Sequence, residues 1–443
     1  MNWFKKLALW ITVLFVFVSA SFSFFPNKTN AEENDPLGLK AEAAILVDAE
    51  TGAILYEKNA NVVLGVASMA KMMTEYLVLE AIEEEKITWD QKVMINEYVH
   101  KLSGAPGLSN IGLTQGEEYT VKELYEAMAI FSANAASVAL AELVAGTEKN
   151  FVTKMNEKAE ELGLEDYKFV NSTGLNNSSL MGNHPAGGPD EENVMSARAT
   201  AKLAYYLLKD YPEVLDTASV PVLKFRDGRE YKNFNWMLPT LVYAYPGVDG
   251  LKTGSTEFAG DGFTATAERD GKRFISVVMK TSSKEERFAE TKKLLDYAFG
   301  SFTKQEVHPE NGKIKGKETL PVTKGKEDQI KIETKDAISL MMKKGKEEDF
   351  ETVLTLDKKK LNDEGQLTAP IKKGDKVGTL TVKPKDGSEI EFLSKDGIKS
   401  ITVDVVAAES VEKANWFVLS MRAIGGFFGD IWGSVSSTVK GWF

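Results

Sequence analysis

The chain has 443 residues, 43% hydrophobic and 27% charged, which supports two or three globular domains and excludes a mainly disordered chain. Its 54 basic and 65 acidic residues leave a formal charge of −11, which argues against a nucleic-acid partner, since phosphate neutralisation needs a basic surface. There is no cysteine, so disulfides and thiol chemistry are both excluded.

The first segment differs from the rest. Lys5 and Lys6 precede the apolar run Leu7 to Ala20, and a polar stretch ending Thr29-Asn30-Ala31 leads into the acidic Glu32 and Glu33. That order reads as a secretory signal, residues 1–31, cleaved after Ala31, and the run is short for a retained bilayer helix. Next, AEAAILVDAETGAILYEKNA predicts a hairpin with strands at Ile45 to Val47 and Ile54 to Tyr56 around Glu50-Thr51-Gly52. From Met69, apolar Met72, Met73, Tyr76, Leu77 and Ile82 recur near the 3.6-residue period, so Ser68 stands at the start of a buried helix. YTVKELYEAMAIFSANAASVALAELVAG predicts helices over about 121–131 and 135–145, with Ser132-Ala133-Asn134 at their junction. Helical signals continue over 148–163 and 196–209, on either side of a Gly, Asn and Pro-rich loop at 171–190. GFTATAERDGKRFISVVM is a pair of alternating strands around Asp270-Gly271, a dipeptide that closes two-residue hairpins, and a helix over about 285–299 follows. Strands at both ends with helices between predict an α+β domain over 32–300 whose terminal strands share one antiparallel sheet.

Beyond residue 300 the chain turns Lys-rich, with short strands expected at Ile330 to Ile332, Thr352 to Leu356, Thr379 to Val382 and Ile401 to Val406. These predict a small all-β domain over 301–410. The tail, 411–443, places Phe417, Met421, Ile424, Phe428, Ile431, Val435, Val439 and Trp442 on one helical stripe. Arg422, Asp430 and Lys440 interrupt any spanning run, and Trp416, Trp432 and Trp442 suit the headgroup boundary. An amphipathic helix lying in the membrane surface fits this pattern; the alternative is a terminal helix packed on the protein itself.

Three short motifs carry the chemistry. Ser68 and Lys71 are three residues apart on one helix face, so hydroxyl and amine come within hydrogen-bond reach at a helix start with free N–H groups. Ser132 and Asn134 stand at the helix junction, and Lys252-Thr253-Gly254 stands on a strand after GVDG. Each motif alone has a structural reading as a cap or a strand end. In this order, Ser-x-x-Lys, Ser-x-Asn and Lys-Thr-Gly are the combination used by penicillin-binding proteins and class A β-lactamases. Ser68 attacks if Lys71 is neutral, which requires its pKa to fall well below the ordinary value of about 10.4, and Lys252 is a natural source of that bias. Ser132 relays a proton to the leaving amine, while Asn134 orients Lys71 and the substrate carbonyl. Gly254 lets a peptide backbone approach the strand edge, and the N–H groups of Ser68 and Ser255 hold the oxyanion. His100, His184 and His308 show no metal-ligand or triad spacing, so neither a metal nor another cofactor is expected.

With these residues in hand, the chain resembles the low-molecular-mass penicillin-binding proteins of the penicillin-binding protein 5 type, serine-type D-alanyl-D-alanine carboxypeptidases. ILVDAETGAILYEKNA, YKFVNSTGL, VDGLKTGSTEFAG and the tail VEKANWFVLSMRAIGGFFGDIWGS carry the resemblance beyond the motifs. It implies a penicilloyl-serine transferase (β-lactamase-like) domain with a five-stranded antiparallel sheet. It implies removal of the terminal D-Ala from peptidoglycan pentapeptide stems through an acyl-enzyme on Ser68, with β-lactams acylating the same serine, and a place on the outer face of the cytoplasmic membrane. Lys71 carries over as the base and, with Ser132, as helper of the deacylating water. Asn134, Lys252, Thr253, Gly254, Ser255 and Thr256 carry over as substrate and oxyanion contacts, and Arg287 as the partner of the substrate's terminal carboxylate. The chain departs from the usual pattern where Val66 and Ala67 precede Ser68, where Ala70 replaces a threonine and where Ala135 follows Asn134. The rival readings are a β-lactamase, a D-Ala-D-Ala endopeptidase and a non-catalytic receptor for β-lactam or wall peptide.

Overall fold

The computed structural model describes residues 35–421, so the signal expected at 1–31 and the tail beyond 421 lie outside the described residues. The chain divides into Met1–Gly38 and Leu39–Phe443, and the elements below belong to the second unit. They are β1 (Ala43–Asp48), β2 (Ile54–Lys58), α1 (Lys71–Glu83), α2 (Val121–Phe131), α3 (Asn134–Ala145), α4 (Glu148–Glu161) and α5 (Ala197–Asp210), followed by β3 (Val248–Thr256), β4 (Gly260–Arg269), β5 (Lys272–Thr281) and α6 (Lys284–Ser301).

The five strands form one antiparallel sheet in the order β3-β4-β5-β1-β2, with β1 paired to β5 from Ala43 opposite Met279 to Asp48 opposite Phe274. The first and last strands of the domain therefore meet, as the element order implied. The β4–β5 turn has Asp270 and Gly271 at φ of 52° and 69°, the left-handed pair a tight hairpin needs. Every residue of β1 is buried, and so is the centre of β4 and β5. Unbroken burial requires cover on both faces, which α5 on β5 and β1 and α6 on β4 and β5 supply.

α1 is buried almost all round, with Met72, Met73, Tyr76, Leu77, Val78 and Leu79 in the core, and is wider in its apolar face than the stripe read from sequence. It is preceded by a 3₁₀ turn, Ala67–Ala70, that carries Ser68. The helix proper thus begins at Lys71 and not at Met69. Ala67 has a left-handed φ of 46°, which costs an alanine about 1 kcal/mol, so the turn is held by its surroundings. α2 opens on a capping box, Thr120 with Glu123, and ends at Ser132 in the left-handed region, φ 56°.

Residues 302–407 add β6 (Phe302–His308), β7 (Thr319–Thr323), β8 (Gln329–Thr334), β9 (Ile338–Lys343), β10 (Phe350–Leu356), β11 (Leu367–Thr368), β12 (Lys376–Pro384) and β13 (Thr402–Ala407). β6 pairs with β9, and a six-stranded sheet runs β10-β12-β13-β8-β7-β11 over its own core of Ile330, Ile332, Leu340, Leu380 and Val405. The segment before β13 reaches back to the first hairpin: the Ile54 N–H donates to Glu391 O and the Leu393 N–H to Gly52 O, both within 2.9 Å. After β13, the Asn415 side chain accepts from the Val418 N–H and opens a helix at 416–421, where Trp416, Phe417 and Met421 are exposed. Among the described residues no helix is long and apolar enough to cross a membrane.

β3 lies directly against the Ser68 turn. A Cβ on Gly254 would stand 2.5 Å from the Val66 carbonyl oxygen and 3.2 Å from the Ala67 Cβ. Gly254→Ala should therefore cost about 1–3 kcal/mol and lower the thermal midpoint followed by circular dichroism; wild-type stability in that variant would show that the strand does not press on the turn.

Candidate active site

The backbone at Ser68 is clamped from two sides. On one is β3 at Gly254. On the other is the loop Asn171-Ser172-Thr173-Gly174, where a Cβ on Gly174, at φ 81°, would fall 1.9 Å from the Ala67 oxygen and 2.9 Å from the Ser68 nitrogen. Two glycines allow two backbones to close on the turn, and no side chain fits between. On the side where a Cβ of Gly254 would stand, the space is taken by Val66 and Ala67 of the same chain.

Lys71 is 0% exposed, and its Nζ has three neighbours: Ser68 Oγ at 3.1 Å, Asn134 Oδ1 at 2.7 Å and the Thr173 carbonyl. Asn134 is held in turn, its Nδ2 donating to Ser109 O at 2.9 Å, which fixes the oxygen toward Lys71. The stereochemistry is decisive. A neutral amine has two N–H bonds and one lone pair, and carbonyl oxygens can only accept. Asn134 and Thr173 take the two protons, and the lone pair is left facing the Ser68 hydroxyl.

Electrostatics favour that neutral form. The Lys71 amine is pushed well below the ordinary lysine value, first by burial and then by the charge of Lys252, against an opposing pull from Glu75. Lys252, 2% exposed on β3, is also lowered by burial, with Glu75 opposing and Arg287 adding to the fall. Hydroxyl, base and second ammonium are therefore gathered at one place. Ser132 is buried, and its Oγ has no hydrogen-bond partner among the described residues. Thr253 is buried beside Lys252, and Ser255 is exposed at the next outward position of β3.

Two expected contacts have partners of their own. The Thr256 hydroxyl donates to Glu192 Oε2 at 2.8 Å and accepts from the Ala259 N–H at 3.0 Å, tying the end of β3 to the loop that precedes α5 and to the turn that follows the strand. Arg287, at the start of α6, is 2% exposed; its Nη1 lies 3.2 Å from the Gly254 oxygen and 3.4 Å from Asp261 Oδ1, and its guanidinium 4.8 Å from the Phe288 ring. Its charge stands behind β3 at Gly254.

Glu75 was missed in the sequence. It is 3% exposed, one helical turn beyond Lys71, and burial raises its pKa against the lowering pull of Lys252 and Lys71. The available signal was its i+4 spacing from Lys71 on a helix otherwise apolar at that level.

A family model described as D-alanyl-D-alanine carboxypeptidase matches residues 28–283, and one described as the penicillin-binding protein 5 C-terminal domain matches 302–413. The D-alanyl-D-alanine carboxypeptidase DacF of Bacillus subtilis (strain 168) is 36% identical over 415 residues, 93% of this chain and 95% of that protein. Among solved structures, the peptidoglycan synthesis regulatory factor (PBP3) of Streptococcus pneumoniae is 35% identical with a TM-score of 0.70, covering 84% of this chain and 99% of that one. Penicillin-binding protein D2 of Listeria monocytogenes, in its ampicillin-bound form, is 34% identical with a TM-score of 0.52, covering 59% of this chain and 99% of that one.

Ionised Glu75 raises the pKa of both lysines, so its uncharged isostere must lower both. In Glu75→Gln the Lys71 and Lys252 amines should titrate at lower pH than in the wild type, followed by ¹⁵N NMR of labelled lysine side chains; unchanged or higher midpoints would contradict the arrangement.

Proposed function

The chain belongs to the D-alanyl-D-alanine carboxypeptidase family, and from that membership we propose that its serine-type peptidase reaction runs on the cluster around Ser68. The substrate is a peptidoglycan stem peptide ending in D-Ala-D-Ala, and the product is the stem shortened by one D-Ala. Ser68 Oγ attacks the carbonyl of the penultimate residue while Lys71 takes its proton. The Ser68 and Ser255 N–H groups receive the oxyanion, each such donor being worth about 100- to 1000-fold in rate. Ser132 passes the proton from Lys71 to the leaving amine, and the D-Ala departs. Water, activated by Lys71 with Ser132, then hydrolyses the ester and restores the hydroxyl. Asn134 orients Lys71 and contacts the substrate amide, Lys252 and Thr253 attract its terminal carboxylate, and Gly254 shapes the strand beside it. Arg287 acts on that carboxylate through the positive charge it places behind β3, and Thr256 keeps the strand end in place. β-Lactams acylate Ser68 in the substrate's stead, in keeping with the ampicillin-bound relative.

The observation that carries this reading is the Lys71 amine, buried and bonded to two acceptors, with its third neighbour the Ser68 hydroxyl. Ser68→Ala should abolish labelling by a fluorescent penicillin while leaving the melting temperature near that of the wild type; label found on another residue would defeat the assignment. Incubation of the wild type with diacetyl-Lys-D-Ala-D-Ala separates the rival chemistries. The carboxypeptidase releases D-Ala and turns penicillin over slowly; rapid penicillin turnover without D-Ala marks a lactamase, and binding without turnover a receptor.

The domain scheme completes the proposal: a signal over 1–31, the peptidase over 32–300, the β-rich domain over 301–410 and an amphipathic helix over 411–443. The exposed Trp416, Phe417 and Met421 at the Asn415-capped helix start support a tail that seeks the outer surface of the cytoplasmic membrane. Removing residues 413–443 should release the protein from membranes without loss of peptide hydrolysis. A truncated protein that still sediments with membranes would contradict the surface helix.

A further inference from the structure

The Thr173 carbonyl is one of the two acceptors that aim the Lys71 lone pair, and the means by which it is held is itself specific. Ser172, the residue before it, is fixed from both sides. Its N–H and O–H both donate to one carboxyl oxygen of Glu148, at 3.0 Å and 2.6 Å, and its carbonyl accepts from the Thr74 hydroxyl of α1 at 2.8 Å. Asn171 Oδ1 completes the loop by accepting from the Thr173 N–H, the Thr173 hydroxyl and the Gly174 N–H. Glu148 stands at the first position of α4, behind the Thr147 cap, and is 6% exposed. Its other oxygen is buried with no hydrogen-bond partner among the described residues. A half-satisfied buried carboxyl carries a cost, offset here by the two donors of Ser172 that it accepts and that an apolar side chain would leave unpaired.

We infer that Glu148 is a positioning residue for the acylation step: through Ser172 it fixes the Thr173 carbonyl, and so keeps the Lys71 lone pair on the Ser68 hydroxyl. The inference rests on Ser68 as nucleophile and Lys71 as base. It assigns Glu148 no contact with substrate. Both Ser172 donors go to a single oxygen, so the device needs an acceptor of the right shape and not a negative charge. Burial pushes the Glu148 carboxyl up from the ordinary carboxylate value, in keeping with that requirement.

The test measures the second-order rate of labelling by a fluorescent penicillin beside the thermal midpoint. Misplacing a reacting group by about 1 Å costs on the order of 100-fold, so Glu148→Ala should slow labelling by about 10- to 100-fold, while Glu148→Gln, which keeps the acceptor, should stay within about twofold of the wild type. Val152→Ala, which trims the buried core face of the same helix, should lower the midpoint and leave the rate unchanged. If Glu148→Ala does not fold, Ser172→Ala reads the same connection, and a drop of about threefold or more supports it. A folded Glu148→Ala, or in its place Ser172→Ala, that labels at the wild-type rate overturns the inference. So does a glutamine variant as slow as the alanine one, or a Val152→Ala that slows labelling equally. Ser68→Ala, run in the same assay, reports separately on the nucleophile: if it alone fails to label, the reaction stands and only the role of Glu148 falls.

Discussion

Two carbonyl oxygens and one hydroxyl surround the Lys71 amine, and the chemistry of the molecule depends on that asymmetry. The carbonyls can only accept, so a neutral amine bonded to both has one way to point its lone pair. An ammonium would fill all three directions with protons and would not be a base. What tips the balance is the burial of the amine together with the second positive charge on Lys252. Glu75 works against both lysines' loss of charge. It offers Lys252 a counter-charge that opposes the loss of its proton, while burial and the Lys252 charge press Lys71 toward the neutral form.

The fold exists at this place to hold that geometry still. Ser68 lies on a short turn whose alanine neighbour is in an unfavourable conformation, and the turn persists because β3 and the 171–174 loop press on it where glycines leave no side chain in the way. β3 is the edge strand of a sheet buried on both faces by α5 and α6, which makes it a firm wall. The junction of α2 and α3 forms the other side, with Ser132 forced out of helical geometry at the end of one helix and Asn134 opening the next. The pieces come from positions far apart in the chain, and none could be placed by its local structure alone.

This division explains what was legible in advance. Ser68, Lys71, Ser132, Asn134 and Lys252 were visible because their types and spacings are set by chemistry. The helices and the terminal strands were visible because burial imposes a period, although the helix after Ser68 starts two residues later than the apolar pattern indicated. The Thr173 carbonyl was invisible because a backbone oxygen has no sequence signature. Glu75 looked like one more acid in a helix that also carries Glu80 and Glu83. Glu148 looked like an ordinary first-turn acid. Gly254, Thr256 and Arg287 were expected at the site, but what each touches depends on which strand, loop or helix end lies behind it, and that is decided by packing over long distances in sequence.

Neutron diffraction from deuterium-exchanged crystals at neutral pH tests the central claim most directly, because it locates the protons themselves. Two deuterons on Lys71 Nζ, directed at Asn134 Oδ1 and the Thr173 oxygen, with the Ser68 deuteron pointing at the nitrogen, is the predicted result. Three deuterons on Nζ, one of them directed at Ser68 Oγ, would contradict it.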